Sequence, residues 1–176
     1  YIIGPGDNIK IIFFGNKNQK ATLQVNREGE IFFPELGPIS VAGLKFSEMK
    51  ETITQIIDNQ YIGTQINISL GELRSINVFL LGEVFQPGLY TISSLSTLTN
   101  ALFSSGGIKS KGSLRNIQLK RKGETIAVFD FYDLLLEGDI SKDSTLMPGD
   151  VIFVPSITKT VAIAGEVRRP GIYELK

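Results

Sequence analysis

The hydrophobic positions near the start of the chain alternate with polar ones. Three of them are separated by single residues: Ile9, Ile11 and Phe13. This period of two predicts a half-buried β-strand. A later segment has the same alternation, at Ile66, Ile68 and Leu70. It predicts a second strand of the same kind.

Two other patterns lie between these predicted strands. Residues 22–25 and 30–33 flank a turn sequence that ends in Gly29, which predicts a hairpin with Gly29 at positive φ. Residues 34–41 are expected to be a short extended piece. Farther on, hydrophobic residues recur at helical spacing behind Ser47, the predicted N-cap: Met49, Ile53, Ile56 and Ile57. Residues 1–75 therefore predict a small α+β domain.

The next part of the chain predicts a second α+β domain over residues 76–156. A strand over 76–84 leads into Pro87-Gly88, where Gly88 is expected at positive φ in a type II turn, and a return strand follows. Ser96 or Thr97 caps a helix that ends at a pair of glycines. Further strands are predicted over 116–121 and 125–131, with a helical turn over 132–136, and the domain closes with the segment 146–155, in which an apolar strand follows Asp150. A hairpin, a helix across it and more strands indicate a β-grasp-like fold.

A nine-residue sequence occurs twice, as GEVFQPGLY from Gly82 and as GEVRRPGIY from Gly165, with six identical positions and an offset of 83. An offset of this size is that of a domain, so residues 157–176 are expected to begin a second copy of the 76–156 domain. So short a segment cannot enclose its own core. The sequence is therefore expected to be a piece of a longer protein. Gly82, Pro87 and Gly88 are assigned to the framework of the repeated hairpin.

The tripeptide Pro-Gly-Asp precedes an apolar strand at two places. The first is Gly4-Pro5-Gly6-Asp7 and the second is Pro148-Gly149-Asp150. An aspartate in such a turn can bond to the backbone two residues on, which favours the start of a strand. Both aspartates are therefore predicted to be structural.

Composition excludes several kinds of chemistry. The 18 basic and 18 acidic residues balance, so there is no net charge to attract nucleic acid, and Cys and His are both absent. Thiol nucleophiles, Ser-His-Asp relays and thiolate or imidazole zinc sites are thereby excluded. No apolar run is long enough to span a bilayer. We expect no catalytic residue, no cofactor and no metal site.

Taken in order, these segments resemble the outer-membrane polysaccharide export proteins of the Wza type. YIIGPGDNIKI and GEIFFPELGPISVAGLKFSEMKETI resemble that family's polysaccharide-export domain. GEVFQPGLY, TLTNALFSSGG and LMPGDVIFVP resemble its β-grasp module, called SLBB for soluble ligand binding. The segment from Lys159 onward resembles the start of a second such module.

The resemblance implies a homo-oligomeric ring in the periplasm, associated with the outer membrane of a Gram-negative bacterium. It implies a polysaccharide chain in transit and an inner-membrane polysaccharide co-polymerase as partners. Family members carry a lipid anchor on an N-terminal Cys and a C-terminal amphipathic helix, and some lack the helix. Neither feature is in this sequence, so membrane insertion is left open.

Candidate contact residues for the glycan or a partner are basic. The densest cluster comprises Lys109, Lys111, Arg115, Lys120, Arg121 and Lys122. These cations either meet an acidic polymer or form the solvated edge of a strand pair. Arg168 and Arg169, which replace Phe85 and Gln86 at the tip of the repeated hairpin, are either a recognition site or plain surface.

Four carboxylates lie close together in sequence: Asp130, Asp133, Asp139 and Asp143. Their spacing differs from a calcium-binding loop and places no acid/base pair, which favours solvated helix ends. The leading hypothesis is a non-catalytic, ring-forming conduit component of a capsule or exopolysaccharide exporter. A periplasmic module that binds a soluble glycan or small ligand is the alternative, and an enzyme acting on the polymer is a more distant one.

Overall fold

The computed structural model describes residues 1–15, 18–33, 36–61 and 63–175, and it divides the chain into two compact units, Tyr1–Arg74 and Ser75–Lys176. The first unit contains β1 (Asn8–Gly15), β2 (Gln19–Gln24), β3 (Glu30–Phe33), β4 (Gly37–Ser40), α1 (Phe46–Gln60) and β5 (Thr64–Leu70). β1 is the centre of an antiparallel sheet of order β2-β1-β5, and β3 pairs with β4 in a separate ribbon.

The core of the first unit lies where the sequence pattern places it. Ile9, Ile11 and Phe13 are buried on one face of β1, as their alternation predicts. α1 contributes its buried residues Met49, Ile53 and Ile57 to the same core. The helix begins at Phe46 rather than after Ser47, so the predicted N-cap was wrong by two residues. The side chain of Glu48 accepts a hydrogen bond from the Lys45 N–H at 2.9 Å, which satisfies a free donor before the first turn.

The predicted hairpin of residues 22–33 is wrong, because β2 and β3 belong to different sheets. β2 pairs with β1, and β3 pairs with the strand that follows it. Val25, just after β2, donates its N–H to the Asp7 carbonyl, which continues the pairing with the segment before β1. Gly29 does adopt positive φ, at 85°. Residues 34 and 35 of the predicted extended piece lie outside the described residues.

The second unit has the strand order expected of a β-grasp domain. Its elements are β6 (Ser75–Gly82), β7 (Gly88–Ser93), α2 (Leu98–Ser104), β8 (Ile117–Arg121), β9 (Glu124–Phe129), a π-helical turn (Asp133–Glu137), β10 (Val151–Val154), β11 (Thr160–Ile163) and β12 (Gly171–Glu174). The main sheet has the order β7-β6-β10-β8-β9. β6 and β10 are parallel neighbours, and the other pairs are antiparallel. The predicted α+β class and β-grasp-like order are confirmed.

One face of this sheet and α2 enclose the second core. The sheet contributes Ile76, Val78 and Leu80 from β6, and α2 contributes Leu98 and Leu102. Thr97 is the N-cap, as predicted, and its N–H bonds to the Asn100 side chain at 3.1 Å. Within the described ranges, no helix is both long and apolar enough to cross a membrane.

The repeated sequence has a repeated structure. In the first copy Val78 lies opposite Tyr90, and in the second Val161 lies opposite Tyr173, so the two ribbons have the same register. β11 and β12 form a separate two-stranded ribbon within the second unit.

Candidate functional site

Asp7 is a fully buried carboxylate at the start of β1. Its Oδ2 accepts from the Gly4 N–H at 2.9 Å and from Arg74 Nη1 at 2.5 Å. Its Oδ1 accepts from the Tyr1 hydroxyl at 2.6 Å and from the Arg74 N–H at 3.1 Å. A carboxylate so completely occupied by donors holds its turn in place and has no free position for a substrate or metal.

Asp150 repeats this arrangement before β10, again with no exposed side-chain surface. Arg121 Nε and Nη2 donate to its two oxygens, both at 2.8 Å, in a bidentate pair. The Met147 N–H donates to Oδ2 at 2.8 Å. The hydrogen bonds to Asp150 raise the pKa of the Arg121 guanidinium above its usual value, which favours its charged form.

The two aspartates close the same type of turn. Asp7 donates its N–H to the Gly4 carbonyl, and Asp150 donates to that of Met147. Proline in the second position together with positive φ at the third, 93° at Gly6 and 81° at Gly149, defines a type II turn. Each carboxylate accepts hydrogen bonds from the backbone N–H three residues earlier and from an arginine that is distant in sequence. The sequence had instead suggested a bond to the backbone two residues later.

The type II turn predicted at Pro87-Gly88 is wrong, because Gly88 does not adopt positive φ and is the first residue of β7. The left-handed glycine of the repeated hairpin is instead Gly82, with φ of 87°, matched by Gly165 at 98°. A Cβ on Gly82 would lie 2.1 Å from the Val154 carbonyl oxygen. The Pro-Gly pair occurs in the turns closed by Asp7 and Asp150 and also at Pro87-Gly88. Of these, the two turns closed by an aspartate are type II, and the one at Pro87-Gly88 is not.

The two arginines of the predicted basic cluster already have partners. Arg121 is bound to Asp150 as described, and Arg115 Nη1 pairs with Asp130 Oδ2 at 2.9 Å. The Arg115 guanidinium also lies 4.1 Å from the centre of the Tyr132 ring. Both arginines therefore serve to hold the module together.

The lysines of that cluster are less engaged. Lys111 and Lys122 are exposed, Lys109 is half-buried, and the Lys120 ammonium lies 5.1 Å from the Phe153 ring centre. Lys122 adopts φ of 53° at the turn between β8 and β9. Arg168 and Arg169 are exposed at the tip of the β11–β12 ribbon. These residues stay candidate contacts for an acidic partner.

The four clustered aspartates have structural contacts. Asp130 pairs with Arg115, Asp133 with Lys142 and Asp143 with Thr99, while Asp139 accepts from Ser141. The Ser141 hydrogen bonds hold the pKa of the Asp139 carboxyl below its usual value. Among the described residues, no group of three or more acidic side chains could hold a metal ion.

One buried carboxylate with several hydrogen-bond donors could not be found from the sequence. Glu174 is only 6% exposed, and its carboxylate accepts a hydrogen bond from Ser113 Oγ at 2.7 Å. The repeat gives no signal for it, because the position 83 residues earlier is Thr91.

The grooves described in the first unit are open to solvent. A groove of about 420 Å³ runs along α1 and is lined by Ser47, Lys50, Glu51, Thr54 and Gln55. Small-ligand sites are typically concave and lined mainly by hydrophobic and aromatic side chains, whereas the residues that line this open groove are all polar or charged.

Comparison with known proteins accounts for nearly the whole chain in order. The model of the polysaccharide biosynthesis/export protein family matches residues 1–71. SLBB domain models match residues 77–154 and 160–176.

Two curated relatives are named for polysaccharide transport or export. The polysialic acid transport protein KpsD of Escherichia coli is 32% identical over 179 aligned residues, which cover 100% of this chain and 32% of KpsD. The EPS I polysaccharide export outer membrane protein EpsA of Ralstonia solanacearum is 32% identical over 150 residues, which cover 84% of this chain and 40% of EpsA. The chain thus spans about a third of the length of KpsD. The chain thus carries a polysaccharide biosynthesis/export domain followed by SLBB domains, and it is homologous to the polysaccharide export proteins KpsD and EpsA.

Proposed function

We propose that this chain is the periplasmic part of an outer-membrane exporter of capsule or exopolysaccharide. The observation that carries the proposal is the order of domains: an export domain, an SLBB module and SLBB sequence again, aligned with proteins named for polysaccharide transport and export. In this proposal the full-length protein forms a homo-oligomeric ring at the outer membrane. An inner-membrane polysaccharide co-polymerase delivers the chain to it.

The proposed role is passive. The buried carboxylates Asp7 and Asp150 are each engaged by an arginine and by backbone N–H groups, which leaves neither able to act as a general acid or base. The sequence has no His or Cys. The protein then supplies a path, and the force that moves the polymer comes from its synthesis and from the partner.

Contacts with the moving polymer must be weak, because tight binding would stall the chain. Exposed lysines suit this requirement, since an isolated surface charge contributes little binding energy and is screened by salt. Lys111 and Lys122 are the exposed lysines of the basic cluster, and Arg168 and Arg169 extend the positive charge to the second ribbon. We include these residues as the polymer contacts.

Complementation tests this function. In a bacterium whose chromosomal copy is deleted, the full-length gene should restore surface polysaccharide, while periplasmic polymer accumulates in the deletion strain. Purified full-length protein in detergent should form a closed oligomer, measured by light scattering after size exclusion. A monomer that binds soluble glycan with saturable affinity would favour the binding-module alternative, and normal surface polysaccharide in the deletion strain would exclude the exporter.

A further inference from the structure

Glu174 is buried although most of the ribbon around it is exposed. Its residue exposure is 6%, whereas Ile172, two positions earlier on β12, is 74% exposed. A charged carboxylate leaves water only where hydrogen-bond donors replace it. The groups that surround Glu174 therefore indicate what this position is built to do.

All three donors to the carboxylate come from one short segment of the preceding module. Ser113 Oγ donates to Oε1 at 2.7 Å, and the N–H groups of Leu114 and Arg115 donate to Oε2 at 2.8 and 3.1 Å. Two successive backbone N–H groups that point at one oxygen form an anion-binding nest. Bonds of this charge-assisted kind are stronger than those between neutral groups.

Side chains of the same module also bind the backbone of Glu174. Arg115 Nε donates to the Glu174 carbonyl at 2.8 Å, and the Glu174 N–H donates to the Tyr132 hydroxyl at 3.0 Å. Arg115 is itself fixed by Asp130 and by the Tyr132 ring. Asp130 and Tyr132 thus hold the Arg115 side chain in the position from which it binds Glu174.

The same segment also holds the connection that leads to the second ribbon. The Ser113 N–H donates to the Pro155 carbonyl, and the Ile157 N–H donates to that of Lys111, both at 2.8 Å. The SLBB sequence that follows is therefore attached at its entry and again at Glu174. Because these two attachments are far apart along the chain, the β11–β12 ribbon cannot rotate about a single hinge.

We propose that Ser113, Leu114, Arg115 and Tyr132 form a docking site for the following SLBB module, and that Glu174 is the anchor that occupies it. The two SLBB modules then move as one rigid body. The first SLBB module has no carboxylate at the equivalent position, which is the exposed Thr91. This inference is independent of the exporter function.

Hydrogen exchange of the 176-residue chain tests the anchor, with Glu166→Ala as the matched control. Glu166 lies in the loop that connects β11 to β12 and is exposed. Glu174→Ala removes the acceptor of three bonds, so the Leu114 and Arg115 amides should exchange at least about tenfold faster. Amides of β11 and β12 should lose protection as well, while those of β6 and β10 keep theirs. Glu166→Ala should exchange like the parent.

Two milder variants keep the test valid if Glu174→Ala destabilises the whole unit. Glu174→Gln keeps one acceptor oxygen, and Ser113→Ala removes one donor while the backbone nest remains. Both should give the same local pattern of faster exchange to a smaller extent. Unchanged exchange at Leu114 and Arg115 in all three variants would overturn the proposal. So would equal acceleration in Glu166→Ala.

Discussion

Tyr90 and Tyr173, which are 83 residues apart, make the same hydrogen bond. Tyr90 donates its hydroxyl to the Gln86 carbonyl at 2.7 Å, and Tyr173 donates to the Arg169 carbonyl at 2.8 Å. Because the acceptor is a backbone atom, the side chain at that position is free to differ. This explains why the repeat keeps its tyrosine while Gln86 in one copy is Arg169 in the other.

Replacing Gly82 with alanine should destabilise the second unit. The substitution places a Cβ at φ of 87° and only 2.1 Å from the Val154 carbonyl oxygen, so we expect a loss of at least about 2 kcal/mol in the free energy of unfolding. Urea denaturation measures it. Gly88→Ala is the control, because Gly88 lacks positive φ and no atom lies within 4 Å of its added Cβ. Its stability should stay within about 1 kcal/mol of the parent. Equal losses in both variants would contradict this assignment.

Arg121→Ala should leave the buried Asp150 carboxylate without its main partner. Arg121 is itself 29% exposed, so water can reach the site, and we expect a loss of about 2–3 kcal/mol rather than the larger cost of a fully buried pair. Thermal or urea denaturation measures the difference.

Two further variants complete this experiment. Lys111→Ala removes an exposed cation and should change stability by less than about 0.5 kcal/mol. Adding Asp150→Asn to Arg121→Ala removes the unpaired buried charge, so the double variant should be more stable than Arg121→Ala. A double variant less stable than the single one would show that the charge itself is not the cause.

Charge reversal at Lys111 and Lys122 should weaken retention on an immobilised acidic polysaccharide at low salt, because both lysines are exposed. The melting temperature should not change. Lys20→Glu with Lys50→Glu is a control of the same net charge, placed on exposed positions of the first unit. If both double variants lose retention equally, the effect is one of net charge and the basic cluster has no special role.

Prolonged incubation of the protein with capsule or exopolysaccharide should leave the polymer at its original size. The buried carboxylates of the second unit, Asp150 and Glu174, are already engaged by hydrogen-bond donors, which leaves neither free to act as an acid or base. Size-exclusion chromatography of the polymer provides the measurement. Reproducible shortening that a single Asp or Glu substitution abolishes would show that the protein is an enzyme.

Local patterns in the sequence predicted much of the fold. Alternation located β1, and the cap at Thr97 located α2, because both depend on neighbours within a few residues. The pairing of β2 with β1 instead of β3 was missed, since turn residues alone do not specify a strand's partner.

The partners of charged residues were not predictable. Arg121 and Asp150 are 29 positions apart, and Ser113 and Glu174 are 61 apart, so only the folded chain brings them together. Residue type alone made Arg115 and Arg121 look like surface cations. Their aspartate partners turn both into structural residues.

The parallel pairing of β6 and β10 determines how the chain passes through the SLBB module. Val151 lies beside Phe79 and Val154 beside Gly82, so the chain enters at one end of the central strand pair and leaves at the other. An eight-residue strand such as β6 is about 26 Å long. The parallel pairing therefore places the entry and the exit of the chain at opposite ends of this strand pair, so that passing through the module also carries the chain along it.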